Sequence, residues 1–185
     1  KYLIVPNNIV TADENDTILS DHAVEIEDGR ILKIDKVENF NNYKGKRLNY
    51  ENYTLIPGFI QTHIHLCQTL FRGMAEDLEL LDWLQKKIFP YENSHNRDSL
   101  RISAQLGINE LQSTGTTTLL DMGTINYQDI IFDELNKSSM RAFAGKCMMD
   151  INELYPGFKE DTNDSLTESY ELAKEFHNTS SGRIK

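Results

Sequence analysis

The sequence predicts an α/β fold: a small β-sandwich-like lobe in residues 1–53, then in residues 54–185 the first three to four strand–helix units of a helix-covered parallel sheet. Three observations predict it. Residues 1–51 carry short apolar runs broken by turns, strand-like and helix-like runs alternate after Asn52, and the helix-like runs repeat apolar residues every three or four positions.

In the first regime, Tyr2-Leu3-Ile4-Val5, Ile9-Val10 and Ala23-Val24-Glu25-Ile26 read as strands. Glu27-Asp28-Gly29-Arg30 joins the last of them to Ile31-Leu32-Lys33-Ile34, and Asp-Gly between alternating runs predicts a tight hairpin. In the second regime the first strand is expected over residues 54–64, followed by a loop containing Arg72-Gly73. Residues 78–88 read as a helix with Leu80, Leu81, Leu84 and Ile88 on one face, ended by Pro90. A second helix starts near Asp98 as N-cap, carries Leu100, Ala104, Ile108 and Leu111, and stops at Gly115. A second strand is expected over residues 116–122, a helix over 127–136 and a third strand over 141–149. The last helix, 165–177, has Ser165 and Glu168 in capping-box spacing and Leu166, Tyr170, Ala173 and Phe176 as its buried stripe; Arg183-Ile184-Lys185 then opens a fourth strand.

Composition narrows the function classes. With 19 basic and 29 acidic residues the formal charge is −10, and the one basic cluster, Lys44-Gly45-Lys46-Arg47, reads as a solvated turn. That balance argues against nucleic acid or an anionic membrane as partner. No apolar stretch approaches the roughly 18 residues of a membrane span and no basic-then-apolar leader is present, so a soluble, cytoplasmic protein is expected. Cys67 and Cys147 stand far apart in no paired motif and read as reduced, packed thiols.

The chemistry-bearing pattern is His63-Ile64-His65. Side chains two apart on a strand share a face, so both imidazoles can reach one metal ion. A bare His-x-His is short, and two polar residues on a solvated face look the same. Here Leu55-Ile56-Pro57-Gly58-Phe59-Ile60 precedes the pair and reads as a buried parallel strand, whose far end is where such folds build active sites.

The run from Pro57 through His65, with Leu70-Phe71-Arg72-Gly73-Met74-Ala75-Glu76-Asp77-Leu78, Leu80-Leu81-Asp82-Trp83-Leu84 and Phe89-Pro90-Tyr91-Glu92, resembles the amidohydrolase superfamily, and within it the deaminase and chlorohydrolase branch. Thr116-Thr117-Thr118-Leu119-Leu120-Asp121-Met122-Gly123 and the run from Arg141 through Asp150 extend the likeness over most of residues 55–185. The resemblance implies a TIM-like (β/α)8 metal-dependent hydrolase barrel, of which this chain holds the first strands and helices. Such a barrel needs eight strands and about 250 residues; a chain that begins at Lys1 and ends at Lys185 is therefore expected to be a piece of a longer protein.

The resemblance also implies a function. The expected reaction is hydrolysis at an sp² ring carbon bearing an amino group or halide, most specifically deamination of an adenine-type nucleoside. Guanine deamination and s-triazine dechlorination are the alternatives, and a non-catalytic scaffold of the same fold is the alternative of another class. One divalent metal is implied, Zn²⁺ with Fe²⁺ as the other option, held in part by His63 and His65, while the remaining ligands and the proton-shuttling glutamate come from later strands. Glu92 resembles the carboxylate that grips ribose hydroxyls, against an ion-paired residue at a helix end. Gln68 resembles an amide that reads a purine edge, against ordinary loop bonding. Trp83 is either a pocket wall or core, and Asp121 either faces the mouth or caps the next helix. His22, His95 and His177 read as solvated or capping histidines. A small-molecule heterocycle or nucleoside is the expected partner, and a homo-oligomer the expected full-length assembly.

Overall fold

The computed structural model describes residues 1–185, which divide into two compact units, Lys1–Pro57 and Gly58–Lys185. The first is a five-stranded sheet of β1 (Tyr2–Val10), β2 (Ile18–Ser20), β3 (His22–Glu27), β4 (Arg30–Lys36) and β5 (Lys46–Leu55). β1 pairs antiparallel with β2 and β3 and parallel with β5, and the alternation along it buries Leu3 and Val5 beside Ala23 and Phe40. β3 and β4 form the expected hairpin: Glu27 faces Arg30, and Asp28 and Gly29 take φ of 50° and 74°, the left-handed pair a two-residue primed turn requires.

The expected strand over residues 54–64 is two strands. β5 ends at Leu55, paired with Ile9, and β6 (Phe59–Ile64) begins a different sheet. Pro57 has no N–H to donate between them, and Gly58 packs so tightly on Thr117 that a Cβ there would lie 2.2 Å from its methyl carbon.

The second unit is built on a parallel sheet of β6, β7 (Thr116–Asp121) and β8 (Arg141–Ala144). Ile184 adds a parallel bridge to Ala142, where the fourth strand was expected. β8 is shorter than residues 141–149 because the chain leaves the sheet at Gly145, whose carbonyl abuts Gly123. Around the sheet lie α1 (Leu80–Trp83), α2 (Phe89–Asn93), α3 (Arg97–Ser113), α4 (Gln128–Ser138) and α5 (Thr162–Phe176). Leu100, Ala104 and Ile108 of α3, Ile130, Ile131 and Leu135 of α4, and Leu172 and Phe176 of α5 close over Leu119 and Ala142, with the Phe132 and Phe176 rings stacked at 4.7 Å. No helix is long and apolar enough to cross a membrane.

Several boundaries differ from expectation. Pro90 does not end the first helical stretch, because a π-helical turn over Leu84–Ile88 carries α1 into α2 and a proline in the first turn of α2 has no partner N–H to lose. Leu80 and Leu81 lie outward at 66% and 67% exposure, leaving Ile88 as the buried residue of that stretch. α3 is capped by Asn96, not Asp98: its side chain accepts from the Asp98 and Ser99 amides while Ser99 Oγ accepts from the Asn96 amide. α5 is capped by Asp161 and buries Ser165, Leu172 and Phe176. At about 100° per residue these three share one face, whereas Leu166, Tyr170 and Ala173 lie roughly 60 to 120° around and are exposed.

Candidate metal and substrate site

The two histidines stand together at the carboxyl end of β6. Ile64 packs against the core beneath the helices, so its neighbours His63 and His65 project to the opposite face, with ring centroids 5.3 Å apart and planes at 64°. A register shift between Gln61 and Ile64 inserts one extra residue in β6 against β7, a bulge of the kind that re-aims side chains at strand ends. No pattern in the sequence announces it. His63 is exposed and His65 half-buried. Burial, and then the adjacent His63, push the His65 imidazole below its ordinary value, which keeps a nitrogen lone pair available at neutral pH.

The backbone just after His65 is fixed from three sides. The Leu66 amide donates to Asp121 Oδ1 at 2.9 Å, and Ser103 Oγ donates to the Leu66 carbonyl at 2.8 Å. The third tie is His95, whose Nε2 lies 2.8 Å from the Cys67 carbonyl; a carbonyl only accepts, so that nitrogen carries the proton, and Nδ1 faces Ser99 Oγ at 3.0 Å. His95 is thus a buried strut and not the solvated or capping residue expected. Asp121 likewise caps no helix: it is enclosed, accepting also from the Gly123 amide at 3.1 Å. His22, in the first unit, has Nδ1 2.6 Å from the Ser20 carbonyl, and His177 follows α5 exposed.

His63, His65, Gln68 and Trp83 line one cleft of about 590 Å³ in the second unit. Arg72 and Glu110 form its charged rim through a two-pronged ion pair with N···O distances of 3.0 and 2.6 Å, which holds the loop to α3. Glu92 is not on the cleft wall. It is only 8% exposed, and Gln68 Nε2 donates to its Oε1 at 2.7 Å. No lysine, arginine or histidine pairs with it. Burial pushes the Glu92 carboxyl up, opposed by the hydrogen bonds from Gln68 and the Cys67 thiol. One donor atom each from His65, Cys67 and Glu92 lies within 4.8 Å of the others. Cys67 and Cys147 are free thiols, and burial, reinforced by the negative charges of Glu92 and Asp121, raises both above the ordinary thiol value, Cys147 to about 11, so both stay protonated.

Residues 54–185 match the Amidohydrolase family. Curated relatives named 5-methylthioadenosine/S-adenosylhomocysteine deaminase include one from Lawsonia intracellularis, 32% identical over 156 residues covering 83% of this chain and 34% of that protein. Another, from Thermococcus onnurineus, is 31% identical over 183 residues covering 98% of this chain and 41% of that protein. Among solved structures, E. coli guanine deaminase superposes over all of this chain and 45% of its own at TM-score 0.86 and 29% identity. An adenosine deaminase from Xanthomonas campestris with bound zinc has the same fold at TM-score 0.86 and 23% identity, over all of this chain and 41% of its own. The chain therefore spans less than half the length of the relatives it matches.

Proposed function

The chain belongs to the Amidohydrolase family, and from that premise we propose that the complete protein is a metal-dependent hydrolase of C–N bonds in amino-heterocycles, deaminating an adenine-type nucleoside. In this reading β6, β7 and β8 are the first strands of a (β/α)8 barrel, with the cleft on its carboxyl side. The observation that carries it is the pair of imidazoles at the end of the first parallel strand, on the wall of a cleft that also presents Gln68, with Glu92 hydrogen-bonded to it.

A zinc ion fits the donor set. Both imidazoles leave the strand on one face, and the low basicity of His65 leaves it neutral, the form that ligates. His63 and His65 would hold the metal, Zn²⁺ or alternatively Fe²⁺, with later parts of the chain completing the set; when bound, it supplies Lewis acidity and a water that ionises near neutral pH. The chain's own residues bind and orient. Glu92 is the acceptor for ribose hydroxyls, Gln68 holds that carboxylate, and the indole of Trp83 offers an apolar wall to a planar heterocycle. Acid–base transfer is assigned to no residue among 1–185.

Glu92→Gln in the complete protein should lower kcat/KM for an adenine nucleoside by about 1.5 to 3 kcal/mol, roughly 10- to 150-fold, and affect a free base far less. His63→Ala should abolish turnover of every substrate and lower zinc content. Equal losses on nucleoside and free base in Glu92→Gln would remove the ribose role. A second reading, guanine deamination, is favoured by the 29%-identical guanine deaminase likeness and by the amide of Gln68 on the cleft wall; a wild-type preference for guanine would select it, and dechlorination of an s-triazine would select the chlorohydrolase branch. Absence of bound metal and of turnover in the complete protein would leave the scaffold alternative.

A further inference from the structure

From the hydrogen bond that ties Gln68, on the cleft wall, to Glu92, whose carboxylate reaches the neighbourhood of His65, we propose that Gln68 is a positioning residue: its amide nitrogen orients the Glu92 carboxylate toward the substrate, and it does not read the heterocycle. The inference rests on the proposed nucleoside reading and concerns the same site. The hydrogen bonding and burial around the pair carry it. Gln68 lines the cleft, its Nε2 lies 2.7 Å from Oε1 of Glu92, and a Glu92 oxygen lies within 4.8 Å of a ring nitrogen of His65, itself on the cleft wall. Glu92 is a buried carboxylate that makes no ion pair, and Gln68 is the one side chain that donates a nitrogen–hydrogen bond to it. A buried carboxylate without a cation is held in place by its hydrogen-bond donors, here the Gln68 amide and the weaker Cys67 thiol, so the Gln68 amide does most to set which of its lone pairs stay available. Leu66 and Cys67, just before Gln68, are in turn clamped by Ser103, Asp121 and His95, so the amide is presented from an anchored backbone.

The consequence is coupling. A carboxylate with one oxygen engaged by Gln68 retains lone pairs for the two neighbouring hydroxyls of a ribose, whereas the Gln68 amide, with one of its two N–H groups committed to Glu92, takes its orientation from that bond and not from a purine edge. Position 68 then sets nucleoside affinity through residue 92.

The test is a double-mutant cycle in the complete, metal-loaded protein. Gln68→Met keeps the side-chain length and removes the donor. It should raise KM for an adenine nucleoside about 10-fold with kcat changed less than about 2-fold, and raise KM for the free base much less. In the Glu92→Gln background the same substitution should change nucleoside KM by less than about 2-fold, because the group through which Gln68 acts is already altered. Independent losses that multiply in the double variant, a matching loss on the free base, or an unchanged or lowered nucleoside KM in Gln68→Met would each overturn the proposal. Zinc content of every variant is measured to separate lost positioning from lost metal. Should the wild type turn over no nucleoside, the nucleoside reading fails by itself. The cycle is then read on whichever heterocycle is consumed, where a shared, non-multiplying effect still supports positioning and multiplying effects still sink it.

Discussion

Asp121 is a carboxylate enclosed by protein with no cation beside it. Burial pushes it up to about 6 from 3.8, while the Leu66 and Gly123 amides, which donate to it, pull the other way. The sign follows from linkage. A folded-state value above the unfolded one means the folded chain holds a proton that the unfolded chain lacks between about pH 4 and pH 6, so the stabilisation is complete below 3.8 and is lost as pH rises through 6. The size is on the order of 3 kcal/mol. Asp121→Asn keeps an oxygen for one amide but turns an NH₂ toward the other, so the variant should be less stable than wild type at pH 4.5, and the gap should narrow as pH rises to 7.5 because only the wild type loses stability over that range. Denaturant unfolding at the two pH values checks this, and a pH-independent gap would contradict it. At this scale the sequence was partly legible. The spacing of His63 and His65 exposed their shared face because two-residue periodicity is a local property of a strand. The bond from Gln68 to Glu92 spans 24 positions and that from Leu66 to Asp121 spans 55, and no local pattern encodes either.

The order of strands and helices was legible in the alternation of apolar runs, and the boundaries were not, for a reason visible at the cap of α3. The stretch Asn93-Ser94-His95-Asn96-Arg97-Asp98-Ser99 offers several residues able to cap, as does Asp161-Thr162-Asn163-Asp164-Ser165 before α5. Local propensity scores them alike. Tertiary contacts choose: Ser99 faces both Asn96 and His95, and His95 is tied to the Cys67 carbonyl, which fixes where the helix must begin. Asn96→Ala should therefore cost about 1 kcal/mol, whereas Asp98→Ala, which loses only a first-turn charge, should cost less, about 0.3 to 1 kcal/mol. Unfolding midpoints of the two variants decide, and greater damage from Asp98→Ala would place the cap where the sequence reading put it. The same override rotated α5: the packing of Leu172 and Phe176 set its inward face although Leu166 and Tyr170 offered a more apolar stripe.

For the whole molecule, the face of the second sheet that carries the histidines is also its most open apolar surface. Parallel register places Ile60 beside Thr118 and Leu120 beside Phe143, and strand alternation puts Ile60, Leu120 and Phe143 on that face, with Ile60 68% and Phe143 53% exposed. The other edge of β6 has no strand paired to it. Parallel sheets with one bare face and a bare edge are rare among stable proteins, because both are surfaces on which further chain pairs. The barrel reading accounts for them together: the remaining strands would extend the edge, and barrel closure would cover the face while adding metal ligands beside His63 and His65. A polypeptide of residues 1–185 alone should therefore bind a hydrophobic dye, self-associate despite its formal charge of −10, hold zinc too weakly to survive dialysis and show no deaminase turnover. The complete protein should retain about one zinc per chain under the same dialysis, since a full ligand set replaces two donors. Gel filtration, dye fluorescence and metal analysis run side by side on the two polypeptides make the comparison. Stoichiometric zinc together with turnover in residues 1–185, with longer chain excluded by mass spectrometry, would mean that this piece closes its own site, and the barrel reading of its bare face would have to be given up.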